Sequence, residues 1–284
     1  MISDNQSDNL DIPLRPAEAA VVSPHPAHHY RTIWISDIHL GWRACEAERL
    51  LDFLKHHDAD HWYLVGDIID GWMLKRSWNW PQSHNDVVQK LLRKARKGSR
   101  VVCMPGNHDE FLRDFANLSF GGIEVLPDAM HETADGRRIW TLHGDLFDSI
   151  VHYAPWLTVL GNNGYDLMIH VGQALNSLRR WLGFREWSLS AYVKQRVKNI
   201  VKFVTDYEHA LMSEARRRGA DGVVCGHIHK AEIKEIDGLT YFNAGDWVES
   251  CTAVVEHFDG RMELVKWAGA TQPVPVAQPV QAAV

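Results

Sequence analysis

The chain has little cysteine: four residues in 284, Cys45, Cys103, Cys225 and Cys251, with no CxxC spacing. That excludes a disulfide framework and a cysteine-ligated zinc module. Cys103 and Cys225 fall inside apolar, strand-like runs and read as buried thiols of a reduced, intracellular protein. No apolar run approaches the length of about 18 residues needed to span a membrane. The first residues, "MISDNQSDNLDIPLRP", have no apolar stretch of the secretory kind. Nor is there an excess of positive charge. The net charge of −6 gives no general pull toward nucleic acid. Two basic stretches, residues 93–100 and 216–218, sit at expected helix C-termini, where solvated cations complement the helix dipole.

What is present is a substantial apolar fraction, 45%, arranged as short β-type runs alternating with helical patterns. Strands are expected at 31–36, 61–67, 100–107, 137–145 and 221–227, followed by a run of strands over 239–267. Helices are expected at 45–57, with His56 and His57 near its C-terminal end, and at 84–98, stopped by Gly98. Residues 1–28 and the Ala/Pro/Val/Gln-rich 268–284 read as disordered ends. Between them lies one domain, 29–267, an α/β sandwich carrying a helical insertion over about 152–218.

The polar residues concentrate where the expected strands end. The first closes with "SDIH" (Asp37, His39), the second with "GDIID" (Asp67, Asp70). The third closes with "PGNHDE" (Asn107, His108, Asp109), the fourth with "LHGD" (His143) and the fifth with "GHIH" (His227, His229). Along a strand, residues two apart face the same way, so His227 and His229 are expected side by side. Each motif alone has an ordinary reading as a turn, a cap or a buried histidine. Together, carboxylates, imidazoles and an amide oxygen form a donor set for divalent Mn²⁺, Fe²⁺, Zn²⁺ or Mg²⁺. In α/β folds, ligands gather at the C-terminal ends of strands.

The order D-x-H, GDxxD, GNHD, H, GHxH resembles the calcineurin-like metallophosphoesterases, with every motif present over residues 37–229. The resemblance implies a four-layer α/β/β/α sandwich holding two divalent metal ions, Mn²⁺ first among the alternatives. It implies one ion on Asp37, His39 and His229, a second on Asn107, His143 and His227, and Asp67 bridging both. His108 is then expected to face the substrate and donate to a phosphoryl oxygen or the leaving group. Asp70 and Asp109 are expected to orient His108 or waters, with a plain helix N-cap the alternative for Asp109.

Within that family, residues 31–267 look most like the UDP-2,3-diacylglucosamine diphosphatase group, which implies a lipid-linked nucleotide substrate in lipid A synthesis. It further implies a cytoplasmic protein with peripheral contact at the inner membrane. The insertion's aromatic and leucine side chains, Trp156, Leu160, Trp181, Phe184 and Trp187 among them, would line an acyl-chain groove or simply pack the cap. Lys194, Arg196 and Lys198 would meet a pyrophosphate or form a solvated helix face. The chain departs from that group at His108, where the group has arginine. It departs again in "HGDLFDSI", which lacks the polar tract expected after the fourth motif. Phosphoester hydrolysis of another nucleotide or phospholipid, and a non-catalytic scaffold, are the rival readings. The role of Trp72, Trp78 and Trp80 is left open between substrate wall, interface and core.

Overall fold

A computed structural model describes residues 28–150, 189–268 and 273–275. The first half is built from parallel strands with helical crossovers: β1 (His28–Ile35), α1 (Ala47–His56), β2 (His57–Val65), α2 (Gly71–Arg76), α3 (Gln82–Arg96) and β3 (Arg100–Met104). Short strands follow at β4 (Ser119–Phe120), β5 (Ile123–Val125) and β6 (Ala129–Glu132), then β7 (Arg138–Thr141). The second half comprises α4 (Leu189–Arg217), β8 (Gly222–Cys225), β9 (Glu232–Ile236), β10 (Leu239–Asn243), β11 (Thr252–Glu256), β12 (Met262–Trp267) and β13 (Pro273–Pro275).

Two sheets result, ordered β13-β12-β11-β1-β2-β3-β5-β4 and β6-β7-β8-β10-β9. The alternation of side chains along each central strand dictates the layering. Ile33 and Ile35 of β1, Trp62 of β2 and Val101 and Cys103 of β3 face Leu50, Phe53, Leu54, Val87 and Leu91 of α1 and α3. The intervening Trp34, Tyr63, Val102 and Met104 face the other way, against Ile139, Val224 and Phe242 of the second sheet. On that sheet's far face, Trp140, Val223, Cys225 and Tyr241 pack on Tyr207, Leu211, Met212 and Ala215 of α4. Helix, sheet, sheet and helix therefore stack as four layers. Each fully buried large side chain in these interfaces contributes roughly 1.5–3 kcal/mol of transfer free energy.

Several details depart from the sequence reading. The C-terminal half of α4, inside the span expected as an insertion, is the outer helical layer of the domain itself. His28 opens β1 instead of ending a disordered extension, and β13 pairs antiparallel with β12 inside the expected tail. His57 is at once the C-cap of α1, its N–H donating to the Phe53 carbonyl, and the first residue of β2; burial pushes its pKa down to about 4, so it is no charged partner for the helix dipole. Lys94, expected to be solvated, is buried. Its ammonium donates to the His57 carbonyl at 2.8 Å and lies 4.4 Å over the Trp62 ring. Burial pushes its pKa down to about 8. Residues 1–27, and Trp156, Leu160, Trp181, Phe184 and Trp187 in the insertion, lie outside the described residues.

Candidate metal centre

The loops after β1, β2 and β3 in one sheet and after β7, β8 and β10 in the other meet at one end of the sandwich, laced by backbone hydrogen bonds. Asp37 N–H donates to the Gly66 carbonyl at 3.0 Å, His39 N–H to Asp67 at 2.8 Å, and Trp247 N–H to Asp37 at 3.0 Å. Five of the seven expected ligands, Asp37, His39, Asp67, His227 and His229, hold positive φ between 51° and 70°. Such left-handed backbone in non-glycine residues costs on the order of 1 kcal/mol or more each and clusters at functional sites. It also corrects the expected geometry of the histidine pair. β8 ends at Cys225, so His227 and His229 are turned by two left-handed residues and not by strand alternation. Gly66 is required for the same crowding: its φ is +76°, and a Cβ there would overlap the His143 ring.

Two clusters of ligand atoms form, each with all atoms within 4.8 Å: Asp37, His39 and His229, and Asp67, His143 and His227. In the first, His229 Nε2 lies 3.2 Å from Asp37 Oδ1 and 3.4 Å from His39 Nε2. In the second, His143 Nε2 lies 3.4 Å from Asp67 Oδ2 and 3.3 Å from Asn107 Oδ1. A third such cluster, His39, Asp67 and His108, overlaps the first two. The tautomers suit a cation. His143 Nδ1 donates to the Val65 carbonyl at 2.9 Å and His39 Nδ1 to Asp70 Oδ2 at 3.1 Å, turning both Nε2 lone pairs into the site. Asp67 joins the clusters: Oδ2 is 3.4 Å from His143 Nε2 and 3.9 Å from His39 Nε2, while Oδ1 accepts the His108 N–H at 2.8 Å.

Burial pushes the carboxyl of Asp37 upward, but the charges of His229, His143 and His39 outweigh it and hold the pKa well below the usual range. Asp67 is held low against its own burial chiefly by His143. The histidines move the other way. Burial disfavours their charged forms, yet Asp67 and Asp37 raise His143 to about 10, and Asp37 raises His229 to about 9. Without a cation both rings therefore carry protons at neutral pH, and a cation must displace them. Uptake of Mn²⁺ by the metal-free protein is expected to release about two protons in weak buffer, with apparent affinity rising from pH 6 to 9. Stopped-flow with a pH dye reads this directly; proton-silent, pH-independent uptake would place the metal elsewhere.

Of the remaining expected site residues, Asp70 lies between two rings, 3.1 Å from His39 Nδ1 and 3.0 Å from His108 Nδ1, and caps α2 through the Met73 N–H at 2.8 Å. Burial raises its pKa, but His108, His39 and that N–H overcome it and leave it low. Asp109 is fully buried, and although it stands at the N-cap of the following helical turn its side chain makes no capping hydrogen bond there. It accepts the N–H groups of Gly106 at 2.6 Å, Ile68 at 2.8 Å, and Asp67 and Ile69 at 3.3 Å, clamping the loop that carries Asp67. Burial raises its pKa, with the Asp67 charge adding to the rise. Lys194, Arg196 and Lys198 ride on α4, and their side chains lie outside the described residues.

Asp246 was missed. It is buried after β10, accepts three backbone N–H groups (Val248, Glu249, Ser250), and sets Oδ2 3.8 Å from His229 Nδ1. Its signal was readable: "NAGD" repeats the glycine–aspartate ending of β2. Trp72, whose role the sequence leaves open, sets its indole 4.1 Å from the His108 ring, centroid to centroid.

Residues 30–231 match the family model described as calcineurin-like phosphoesterase. Among curated proteins, the chain is 27% identical over 227 residues to a UDP-2,3-diacylglucosamine hydrolase of Azotobacter vinelandii, covering 76% of this chain and 90% of that one. It is 26% identical over 225 residues to the UDP-2,3-diacylglucosamine hydrolase of Neisseria gonorrhoeae, covering 75% and 88%. A solved Vps29 in complex with zinc from Entamoeba histolytica superposes with a TM-score of 0.42 at 15% identity, covering 86% and 98%. The chain belongs to the calcineurin-like phosphoesterase family and is a metal-dependent phosphoester hydrolase.

Proposed function

We propose that the protein hydrolyses a phosphoanhydride bond in a lipid-linked nucleotide of the UDP-2,3-diacylglucosamine type. The observation that carries the hydrolysis is Asp67, whose Oδ2 stands between the histidines of two ligand clusters, and the substrate type is taken from the likeness to the UDP-2,3-diacylglucosamine hydrolases. Asp37, His39 and His229 would hold one divalent ion and Asn107, His143 and His227 the other, with Asp67 shared. When bound, such a pair neutralises charge on phosphoryl oxygens and makes a water more acidic. Mn²⁺ suits the mixed carboxylate, amide and imidazole donors, with Fe²⁺, Zn²⁺ and Mg²⁺ as the alternatives.

The chain's own groups then do the rest. His108 is partly open to solvent, and its pKa is raised by Asp70 and Asp67 against the opposing effect of burial. It can hold a proton for the leaving oxygen, a role worth about 10²–10⁴-fold. Asp70 anchors His39 and sets its charge 3.0 Å from His108 Nδ1, and Asp109 fixes the backbone of Asp67. Lys194, Arg196 and Lys198 supply positive charge for a pyrophosphate, and the insertion takes the acyl chains. No helix among the described residues is long and apolar enough to cross a membrane. A cytoplasmic enzyme of lipid A synthesis, meeting its lipid at a membrane surface, accords with this reading.

His108 itself favours a second substrate, because the diacylglucosamine group carries arginine at that place. A phosphodiester of another nucleotide or a phospholipid would use a proton donor there. The test is Mn²⁺-loaded protein offered UDP-2,3-diacylglucosamine beside bis(p-nitrophenyl) phosphate. UMP release supports the lipid-linked nucleotide; cleavage of the simple diester alone removes that substrate and keeps the hydrolase.

A further inference from the structure

The loops after β2 and β3 are fastened together at one point. Gly71 N–H donates to the His108 carbonyl at 3.0 Å, and a Cβ on residue 71 would come within 2.8 Å of that oxygen. Only glycine lets α2 begin so close to His108. The next side chain is Trp72, whose indole covers the His108 imidazole with ring centroids 4.1 Å apart and planes at 33°. From another side the His39 ring meets His108 edge-on, at 4.7 Å and 89°.

Beyond these rings, the near neighbour of the His108 imidazole is Asp70, which leaves the tilt of the ring free. The His108 main chain is fixed through the N–H to Asp67 Oδ1, but the final torsion of a histidine side chain is soft. Nδ1 lies 3.0 Å from Asp70 Oδ1 without the alignment of a hydrogen bond, and Nε2 lies 4.0 Å from Asp67 Oδ2. Trp72 in turn belongs to none of the buried cores and is 47% exposed. A tryptophan left so open, yet laid over one imidazole, does more for that imidazole than for the fold.

We propose that Trp72 is a positioning residue: its indole face fixes the plane of the His108 ring and so aims Nε2 at the space over Asp67 where the leaving oxygen departs. This rests on the reading of His108 as proton donor. If instead Trp72 met the substrate itself, its loss would not depend on His108, and that difference decides the experiment.

The experiment compares the Mn²⁺-loaded wild type with Trp72→Ala, Trp72→Phe, His108→Ala and the Trp72→Ala/His108→Ala double variant on bis(p-nitrophenyl) phosphate. Trp72→Ala is expected to lower kcat about tenfold with KM changed less than about twofold, the scale of one aromatic pair. Trp72→Phe keeps a ring over His108 and should recover kcat to within about threefold of wild type. Metal content and Tm should stay at wild-type values, because the side chain is half exposed. In the His108→Ala background, Trp72→Ala should cost nothing further. A full additional loss there, or a raised KM with unchanged kcat, overturns the positioning role and assigns Trp72 to the substrate. His108→Ala at the wild-type rate would instead sink the proton-donor reading, and the positioning role with it.

Discussion

Asp67→Ala is expected to lower turnover of any phosphodiester substrate by at least about 10³-fold and to cut bound Mn²⁺ from about two ions per chain to one or fewer. The reason lies in how its two oxygens are used. Oδ1 is tied to the protein through the His108 N–H, while Oδ2 faces His143 Nε2 at 3.4 Å, His39 Nε2 at 3.9 Å and His108 Nε2 at 4.0 Å. No other carboxylate among the described residues appears in more than one of the ligand clusters. Removing it leaves three buried or partly buried imidazoles facing one another with less negative charge among them. His143 would lose its largest favourable partner, and its pKa should fall toward the value that burial alone dictates. Asp67→Asn separates charge from shape, since the amide oxygen can still accept the His108 N–H. It should match the alanine variant in lost activity and surpass it in Tm. Metal analysis after desalting, beside steady-state rates, reads both effects. Two retained ions with more than a tenth of wild-type turnover would mean that Asp67 is not shared between the clusters.

Much of this centre is legible in the sequence, because the chemistry resides in residue type and order. One aspartate or histidine after an apolar run has an ordinary structural reading, but five such endings in order leave little room for one. What was not legible depends on backbone turns and on contacts between distant segments. The two residues of "HIH" read as strand neighbours because period-two alternation is the default after an apolar run; both instead hold left-handed φ in a loop where the Asp37 carboxylate accepts the His227 N–H. Asp109 looked like a partner of His108 because it follows it. Only the packing of the β2 loop on the β3 loop shows that its carboxylate is consumed by four backbone N–H groups. β4, β5 and β6, at two to four residues, are too short to carry a periodic signal, and their pairing is set by the sheet edges they join. Lys94 was misread for the opposite reason: its helix position is ordinary, but the carbonyl that captures it belongs to His57, on the neighbouring strand.

Stability is expected to depend most on a carboxylate at the other end of the sandwich. Glu256 closes β11 opposite Thr32 in the middle of β1, away from the loops that hold the metal ligands. It is fully buried, and both carboxylate oxygens are hydrogen-bonded: Arg31 Nη1 at 2.7 and 2.9 Å, Thr32 Oγ1 at 2.6 Å, His131 Nε2 at 2.8 Å and the Ala134 N–H at 2.8 Å. Burial pushes its pKa upward, but the hydrogen bonds from His131, Thr32 and Ala134 prevail and bring it down to about 2. Glu256→Ala would leave the partners of a buried charge uncompensated and should cost about 3–5 kcal/mol, a drop in Tm on the order of 10 °C. Below the transition, metal content and kcat should be those of wild type, which separates this residue from Asp67. The sign of the pH effect follows from a folded pKa below the unfolded one. The contribution of the carboxylate is complete above about pH 4.5 and is lost as pH falls toward 2, amounting to roughly 3 kcal/mol. Denaturant unfolding at pH 7, 5, 4 and 3 should therefore show wild type losing stability faster on acidification than Glu256→Gln, whose amide does not titrate. Parallel curves would mean that Arg31 and His131 are satisfied without the charge, and that the buried network acts only through its shape.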